Sequence, residues 1–300
     1  MIIYVPQPQE IDPEALALLR EQGHEVRTDA SAASAAEVLF VRTYTQVTAA
    51  YLADFPKLKF VLRAGVGLDN IDVAECKRLG VSVINAPGAN ANAVAEYTVG
   101  AIVSLLRQFK GQEAALRSGG WRQPELAGGE LKGKVLGLVG CGNVARALAH
   151  KLSSWELGAI LGYDPYLDQA AIEAAGIRKC ELKEVLTQAN IISLHVPLVP
   201  ETKHLITDAS FARMQPGAIL INAARGGVVD EAALARALTS GTLAGAALDV
   251  FETEPTVAPE LLACPNILLT PHIGGYTNEA SKEVSLAPVR ELLRQLSSVR

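Results

Sequence analysis

The chain has 300 residues, 49% of them hydrophobic, and a formal net charge of −5. That length and composition support a substantial core and two domains of ordinary size, and argue against disorder. The acidic balance, with no basic block, argues against a general nucleic-acid surface.

No apolar run reaches the ~18 residues that suggest a membrane span. Met1–Glu10 lacks the basic and apolar regions of a signal peptide. The cysteines Cys76, Cys141, Cys180 and Cys264 form no C-x-x-C pair. They read as free thiols in a reducing cytoplasm.

Short β-like runs alternate with helical patterns along the whole chain, the signature of α/β architecture. Ile2–Val5 reads as a first strand. Asp12-Pro13 opens a helix that Gly23 stops. Val38–Val41, Lys59–Leu62 and Val81–Ile84 read as strands, with helices over Ala49–Asp54 and Val73–Leu79. One long helical pattern, Ala93–Leu116, ends at Ser118-Gly119-Gly120. A polar, glycine-rich stretch, Gln123–Gly133, leads to a strand over Lys134–Val139.

Next comes Gly140-Cys141-Gly142-Asn143-Val144-Ala145, then a helix over Ala145–Leu152, and a strand over Gly158–Tyr163 ending at Asp164. Strand, glycine turn, helix, strand and acid together form a dinucleotide-binding fingerprint. Gly140 permits the tight turn, and Gly142 lets the backbone approach a pyrophosphate at the helix start. Ala145 takes the third small position. Asp164, about 20 residues further on, suits the ribose hydroxyls. Cys141 lies in this turn, where a helix N-terminus can lower a thiol's pKa.

The alternation continues with helices over Leu182–Thr187, Ser210–Met214 and Glu231–Thr239, and strands over Ile191–His195, Ala218–Ile221, Leu243–Leu248 and Ile267–Leu269. The last helix, Asn278–Ser297, has no strand after it and is expected to return to the first domain. The expected division is therefore 1–94 with 277–300, and 95–276.

Polar residues at strand ends carry the chemistry. Arg225 follows a strand and precedes Gly226-Gly227. At the carboxyl edge of a doubly wound sheet its fork suits a carboxylate; a surface arginine at a turn is the plain alternative. His272, between Pro271 and Gly274-Gly275, suits a general acid/base, with Glu254 as an orienting carboxylate. A histidine that merely caps its turn is the other reading. His24 and His150 read as surface residues, His204 falls in a loop, and His195 at a strand end can border a cofactor. No ligands cluster at metal spacing, so no metal is expected.

These residues together resemble the D-isomer-specific 2-hydroxyacid dehydrogenases, in the branch of D-3-phosphoglycerate dehydrogenase and hydroxypyruvate or glyoxylate reductase. The motifs that carry the resemblance include Arg63–Asp72, Asn85-Ala86-Pro87, Val94-Ala95-Glu96, Leu131–Lys134, Gly140–Ala145, His195-Val196-Pro197 with Thr202, Asn222–Gly227, Asp249–Pro255 and Thr270–Gly275.

The resemblance implies a Rossmann-type doubly wound parallel sheet plus a smaller flavodoxin-like α/β domain, with a cleft between them. It also implies NAD as cofactor, a homodimer, and oxidoreductase activity on a small D-2-hydroxy or 2-keto acid. By position, Arg225 matches the carboxylate arginine, His272 the acid/base and Glu254 its partner. The cofactor positions are Gly140, Gly142, Asn143, Val144, Asp164, His195, Pro197, Thr202, Ala223, Asp249, His272 and Gly274, with Asp249 on the nicotinamide amide. Arg42, Val66, Gly67, Asn90 and Arg225 match the substrate side.

Since the sequence ends at Arg300, a C-terminal regulatory domain is not expected. Alternatives are a non-catalytic NAD sensor of the corepressor type, and a formate or phosphite dehydrogenase; a formate enzyme is expected to carry glutamine in place of Glu254.

Overall fold

In the computed structural model, which describes residues 1–264 and 266–298, every strand pairs in parallel. The chain divides into two units, Met1–Asn90 with the segment from Tyr276 onward, and Ala91–Gly275. The first boundary falls at Asn90 because the next helix begins at Ala91.

The first unit contains β1 (Ile2–Tyr4), β2 (Glu25–Arg27), β3 (Val38–Val41), β4 (Phe60–Arg63) and β5 (Ser82–Ile84), in the spatial order β2-β1-β3-β4-β5. This is the flavodoxin-like order. The central strand β3 is buried at all four positions, as expected of a sheet covered on both faces. Asp12 caps the helix Pro13–Glu21 by accepting from the Glu14 N–H at 2.9 Å. Gly23, at φ +76°, ends that helix. The last helix, Asn278–Ser298, buries Leu286, Val289 and Leu292 in the cluster of Ile3, Phe40 and Leu62.

The second unit contains β6 (Val135–Val139), β7 (Ala159–Tyr163), β8 (Arg178–Lys179), β9 (Ile191–Leu194), β10 (Ile219–Asn222), β11 (Gly245–Leu248) and β12 (Ile267–Leu269). Their order is β12-β11-β10-β9-β6-β7-β8, which reverses between β6 and β9. That is the doubly wound Rossmann arrangement, and ligands bind at its reversal point. The helices Ala91–Leu106 and Asn143–Lys151 cover one face through Ile102 and Leu148. Leu182–Gln188 and Glu231–Thr239 cover the other through Val185 and Leu234.

The single helix expected over Ala93–Leu116 is two, Ala91–Leu106 and Phe109–Arg117, broken at Gln108 with φ +52°. The end of the first helix is taken over by tertiary contact: the Gly129 N–H donates to Leu106 O at 2.8 Å. Strands β2 and β8 were not expected. Each is a two- or three-residue edge strand with exposed charged positions and no apolar alternation. The short helices Gln169–Glu173 and Pro259–Leu262 were also not expected.

His195 leaves β9 at the reversal point, where its N–H donates to Val139 O of β6 at 2.7 Å. Part of the residue reaches the surface, yet its Nε2 is enclosed without a hydrogen-bond partner. Burial pushes the imidazole pKa down to about 4, so the ring is neutral in the folded protein near pH 7. An unfolded chain takes up a proton near pH 6.5. Between those values the unfolded state binds more protons, so this contribution to stability is complete above pH 6.5 and is lost as pH falls toward 4. The slope from one such group is at most about 1.4 kcal/mol per pH unit. Urea unfolding of wild type and His195→Leu at several pH values should show a shallower acid-side decline in the variant; parallel declines would contradict a His195 ring held neutral in the folded protein.

Candidate active site

The glycine turn between β6 and the helix Asn143–Lys151 is shaped by backbone approach. Gly140 has φ +89°, and a Cβ there would lie 2.6 Å from His195 O. No heavy atom lies within 4 Å of a Cβ built on Gly142, so that side of the turn has room for a ligand. The helix has no side-chain cap at Gly142, and first-turn N–H groups, here of Asn143, Val144 and Ala145, have no acceptor within their own helix. An anion fits this geometry. Ala145 is fully buried in the core cluster, which accounts for its small side chain.

Asp164 closes the far side of the turn. Its Oδ2 accepts from Cys141 N at 2.9 Å, and its Oδ1 from Tyr166 N and Leu167 N at 2.9 and 3.1 Å. Partial burial pushes its pKa up, but these three donors and nearby Lys179 outweigh it, so the carboxylate titrates below its ordinary range. Cys141, read from the sequence as a free thiol in the glycine turn, is not activated by its position there. Burial and the Asp164 charge push its thiol up to about 12. The nearby Arg146 and Lys179 do not offset this, and the site contains no ready thiolate.

The loop after His195 is closed by Thr202, whose hydroxyl donates to Pro197 O at 2.6 Å and accepts from Val199 N at 2.9 Å. His204 Nε2 pairs with Glu252 Oε1 at 3.2 Å. Glu252 and Glu231 exchange backbone-to-carboxylate bonds of 2.7 and 3.1 Å. The segment entering Glu254 is therefore clasped to the helix Glu231–Thr239.

Asn222, 1% exposed, builds the Arg225 turn. Its Nδ2 donates to Arg225 O at 2.9 Å, and its Oδ1 accepts from Ala224 N at 3.1 Å. A Cβ on Gly226 would lie 1.8 Å from Phe251 O, so the Arg225 turn rests directly on the chain leading to Glu254. Ala223 and Arg225 are half-buried, and Arg225 Nη1 donates to Ala224 O at 2.7 Å.

His272 Nδ1 lies 2.9 Å from Glu254 Oε2, while Glu254 Oε1 accepts from Phe251 N at 3.2 Å. An ionised carboxylate only accepts, so Nδ1 donates and Nε2 is the nitrogen left for proton exchange. The imidazole is half exposed, as an acid/base open to a ligand requires.

Asp249, 1% exposed, stands behind this pair. Its Oδ1 accepts from Thr270 Oγ1 at 2.6 Å and Ile273 N at 2.8 Å, and its Oδ2 from Gly274 N at 2.6 Å. A carboxylate has about four lone-pair sites, so one acceptor position is left beyond these three donors.

In the first unit, Arg42 Nη1 donates to Glu10 O at 2.9 Å. Asn70 Nδ2 donates to Arg42 O and Thr45 O at 2.8 and 2.7 Å. Asn85 Nδ2 donates to Val66 O at 2.6 Å, holding the Val66-Gly67 loop. Asn90 ends this unit, half-buried. Sequence reasoning did not single out Asn70, Asn85, Asn222, Glu252, Thr270 or Tyr97. Most lie inside the motifs quoted above, so the signal was an amide, hydroxyl or acid at a strand exit. Among the described residues no cluster of His, Cys, Asp and Glu is arranged to hold a metal, and no helix is long and apolar enough to cross a membrane.

The family model for the D-isomer specific 2-hydroxyacid dehydrogenase NAD binding domain matches residues 99–274. The chain is 43% identical over 246 residues to D-3-phosphoglycerate dehydrogenase of Mycobacterium tuberculosis (strain ATCC 25618 / H37Rv), covering 82% of this chain and 46% of that protein. It thus spans about half the length of that relative. It is 39% identical over 263 residues to hydroxypyruvate reductase of Thermotoga maritima, covering 87% of this chain and 85% of that one. The crystal structure of D-lactate dehydrogenase from Aquifex aeolicus, complexed with NAD and lactic acid, matches with a TM-score of 0.84 at 30% identity, over 99% of this chain and 96% of that one. With more than half its length under the family model and a relative matched over most of both chains, this protein belongs to the D-isomer-specific 2-hydroxyacid dehydrogenase family and carries its NAD-binding domain.

Proposed function

We propose that the protein interconverts a D-2-hydroxy acid and its 2-keto acid, of the 3-phosphoglycerate, hydroxypyruvate or glyoxylate type, with NAD. The observation that carries this reading is the 2.9 Å contact between His272 Nδ1 and Glu254 Oε2. It leaves Nε2 as the proton donor in reduction and the acceptor in oxidation. Glu254 stabilises the charged ring. Arg225 holds the substrate carboxylate by its fork and polarises the carbonyl. Arg42, Asn90 and the Val66-Gly67 loop are the substrate contacts of the first unit, which makes it the substrate domain, and Ala91–Gly275 the cofactor domain.

NAD fits the glycine turn, where Gly140, Gly142, Asn143 and Val144 hold the pyrophosphate and Asp164 the ribose. His195, Pro197, Thr202, Ala223 and Gly274 border the rest, and the remaining acceptor of Asp249 takes the nicotinamide amide. When bound, the reduced cofactor supplies the hydride. A 2′-phosphate would meet the Asp164 charge, so NAD is preferred over NADP.

We further propose a homodimer. The helix Phe109–Arg117 has no buried residue, and Phe109, Leu116 and Trp121 are 53, 57 and 78% exposed. Phe109 and Leu116 lie seven residues apart, on one face of that helix, and exposed apolar side chains sharing a face support a protein partner. Sedimentation equilibrium returning a monomer at micromolar concentration would rule the dimer out.

One steady-state panel tests the catalytic reading: NADH or NADPH oxidation with hydroxypyruvate, glyoxylate and pyruvate, and NAD reduction with 3-phosphoglycerate. NADH should be used with the higher kcat/KM. Arg225→Lys keeps the charge but loses the paired contact, and should lower kcat/KM for the keto acid by on the order of 10²-fold with NADH affinity nearly unchanged. Equal use of NADPH would refute the role of Asp164. Loss of cofactor binding with substrate binding intact would move Arg225 to the other half of the site.

A further inference from the structure

The imidazole of His272 is carried on a backbone at φ +55°, a left-handed conformation that a non-glycine residue holds only where its surroundings overdetermine it. Those surroundings can be counted. The His272 N–H donates to Asp249 O at 2.8 Å, and the next two N–H groups donate to the Asp249 carboxylate. Thr270, two residues before His272, donates its hydroxyl proton to the same carboxylate at 2.6 Å.

Thr270 Oγ1 also lies 2.7 Å from the hydroxyl of Tyr97, on the helix Ala91–Leu106. A threonine hydroxyl has one proton, and Asp249 takes it. Tyr97 is therefore the donor in this contact. Burial pushes the Tyr97 hydroxyl up to about 12, so it keeps that proton over any ordinary assay range. The Tyr97 ring also backs Gly274, where a Cβ would lie 3.5 Å from Tyr97 Cδ1 and 2.9 Å from Asp249 Oδ2.

We propose that Tyr97 is a positioning residue for the acid/base loop, acting through Thr270 and Asp249 to hold His272 against Glu254; the inference rests on the dehydrogenase reading above. Tyr97 does not touch the reacting atoms. Its hydroxyl fixes the rotamer of Thr270, Thr270 fixes the Asp249 carboxylate, and that carboxylate fixes the two N–H groups after His272. The chain runs from a core helix to the loop of the proton donor, so the ring position depends on Tyr97, a group that touches neither substrate nor reacting atoms.

The test uses Tyr97→Phe, which keeps the ring, Thr270→Val, which removes the hydroxyl, and Thr270→Ser, which restores it. Amide hydrogen exchange of the Ile273 and Gly274 N–H groups should accelerate about tenfold in Tyr97→Phe and more in Thr270→Val, with Thr270→Ser near wild type. For keto-acid reduction, kcat should fall about three- to tenfold in Tyr97→Phe with KM for the keto acid nearly unchanged. The alkaline limb of its rate profile should move to lower pH, because a looser ring spends less time against Glu254.

Wild-type exchange and an unmoved limb in both Tyr97→Phe and Thr270→Val would overturn the proposal, as would a loss confined to NADH affinity. A wild-type protein that reduces no 2-keto acid would instead defeat the dehydrogenase reading itself, and the positioning role with it.

Discussion

A carboxylate that is 1% exposed needs donors around it, and Thr270, Ile273 and Gly274 supply three to Asp249. Any other course for residues 270–274 would leave a buried charge short of partners. The acid at the end of β11 therefore dictates the path of the loop after β12. It also explains how His272 holds a left-handed backbone, since flanking residues on both sides are tied to one group. The His272–Glu254 contact of 2.9 Å is a consequence of that arrangement, which carries the ring to the carboxylate.

The same economy runs through the other loops at the carboxyl edge of the sheet. Gly140 and Gly226 sit where a side chain would strike the backbone of His195 and of Phe251. These approaches lock adjacent strand exits to one another without side-chain linkers. Asn222 then shapes the Arg225 turn from within, and the Glu231–Glu252 exchange anchors the segment leading to Glu254. The groups proposed for chemistry are thus on loops, but each loop is pinned by buried polar atoms on rigid elements, the arrangement that keeps a reacting group in register.

Much of the fold was legible because its strands are short apolar runs closed by turn residues. Val38–Val41, Ile267–Leu269 and Glu231–Thr239 fall where periodicity placed them. The glycine turn was legible because Gly140 and Gly142 have distinct backbone tasks. Strands β2 and β8 were not, since an edge strand with exposed charged positions has no alternation to read. The break at Gln108 was not either: a glutamine in the left-handed region carries no local signal, and the Leu106 carbonyl that a continuing helix would use is taken by the distant Gly129 N–H. At the site, residue types at strand exits pointed to Arg225, Glu254 and His272. Their supports were hidden, because Tyr97 meets Thr270 across 173 positions of sequence. The Cys141 thiol is pushed up to about 12 by burial, which sequence spacing does not report.

In the proposed reaction His272 delivers the proton and Glu254 keeps the ring charged while it does so. The most direct test is the pH dependence of kcat/KM for keto-acid reduction in wild type and Glu254→Gln. A neutral amide in place of the carboxylate no longer stabilises the imidazolium, and reduction needs His272 protonated. The alkaline limb of the variant should therefore lie at lower pH than that of wild type. Superimposable profiles would contradict the account, since they would mean that the carboxylate 2.9 Å from the ring does not govern its charge.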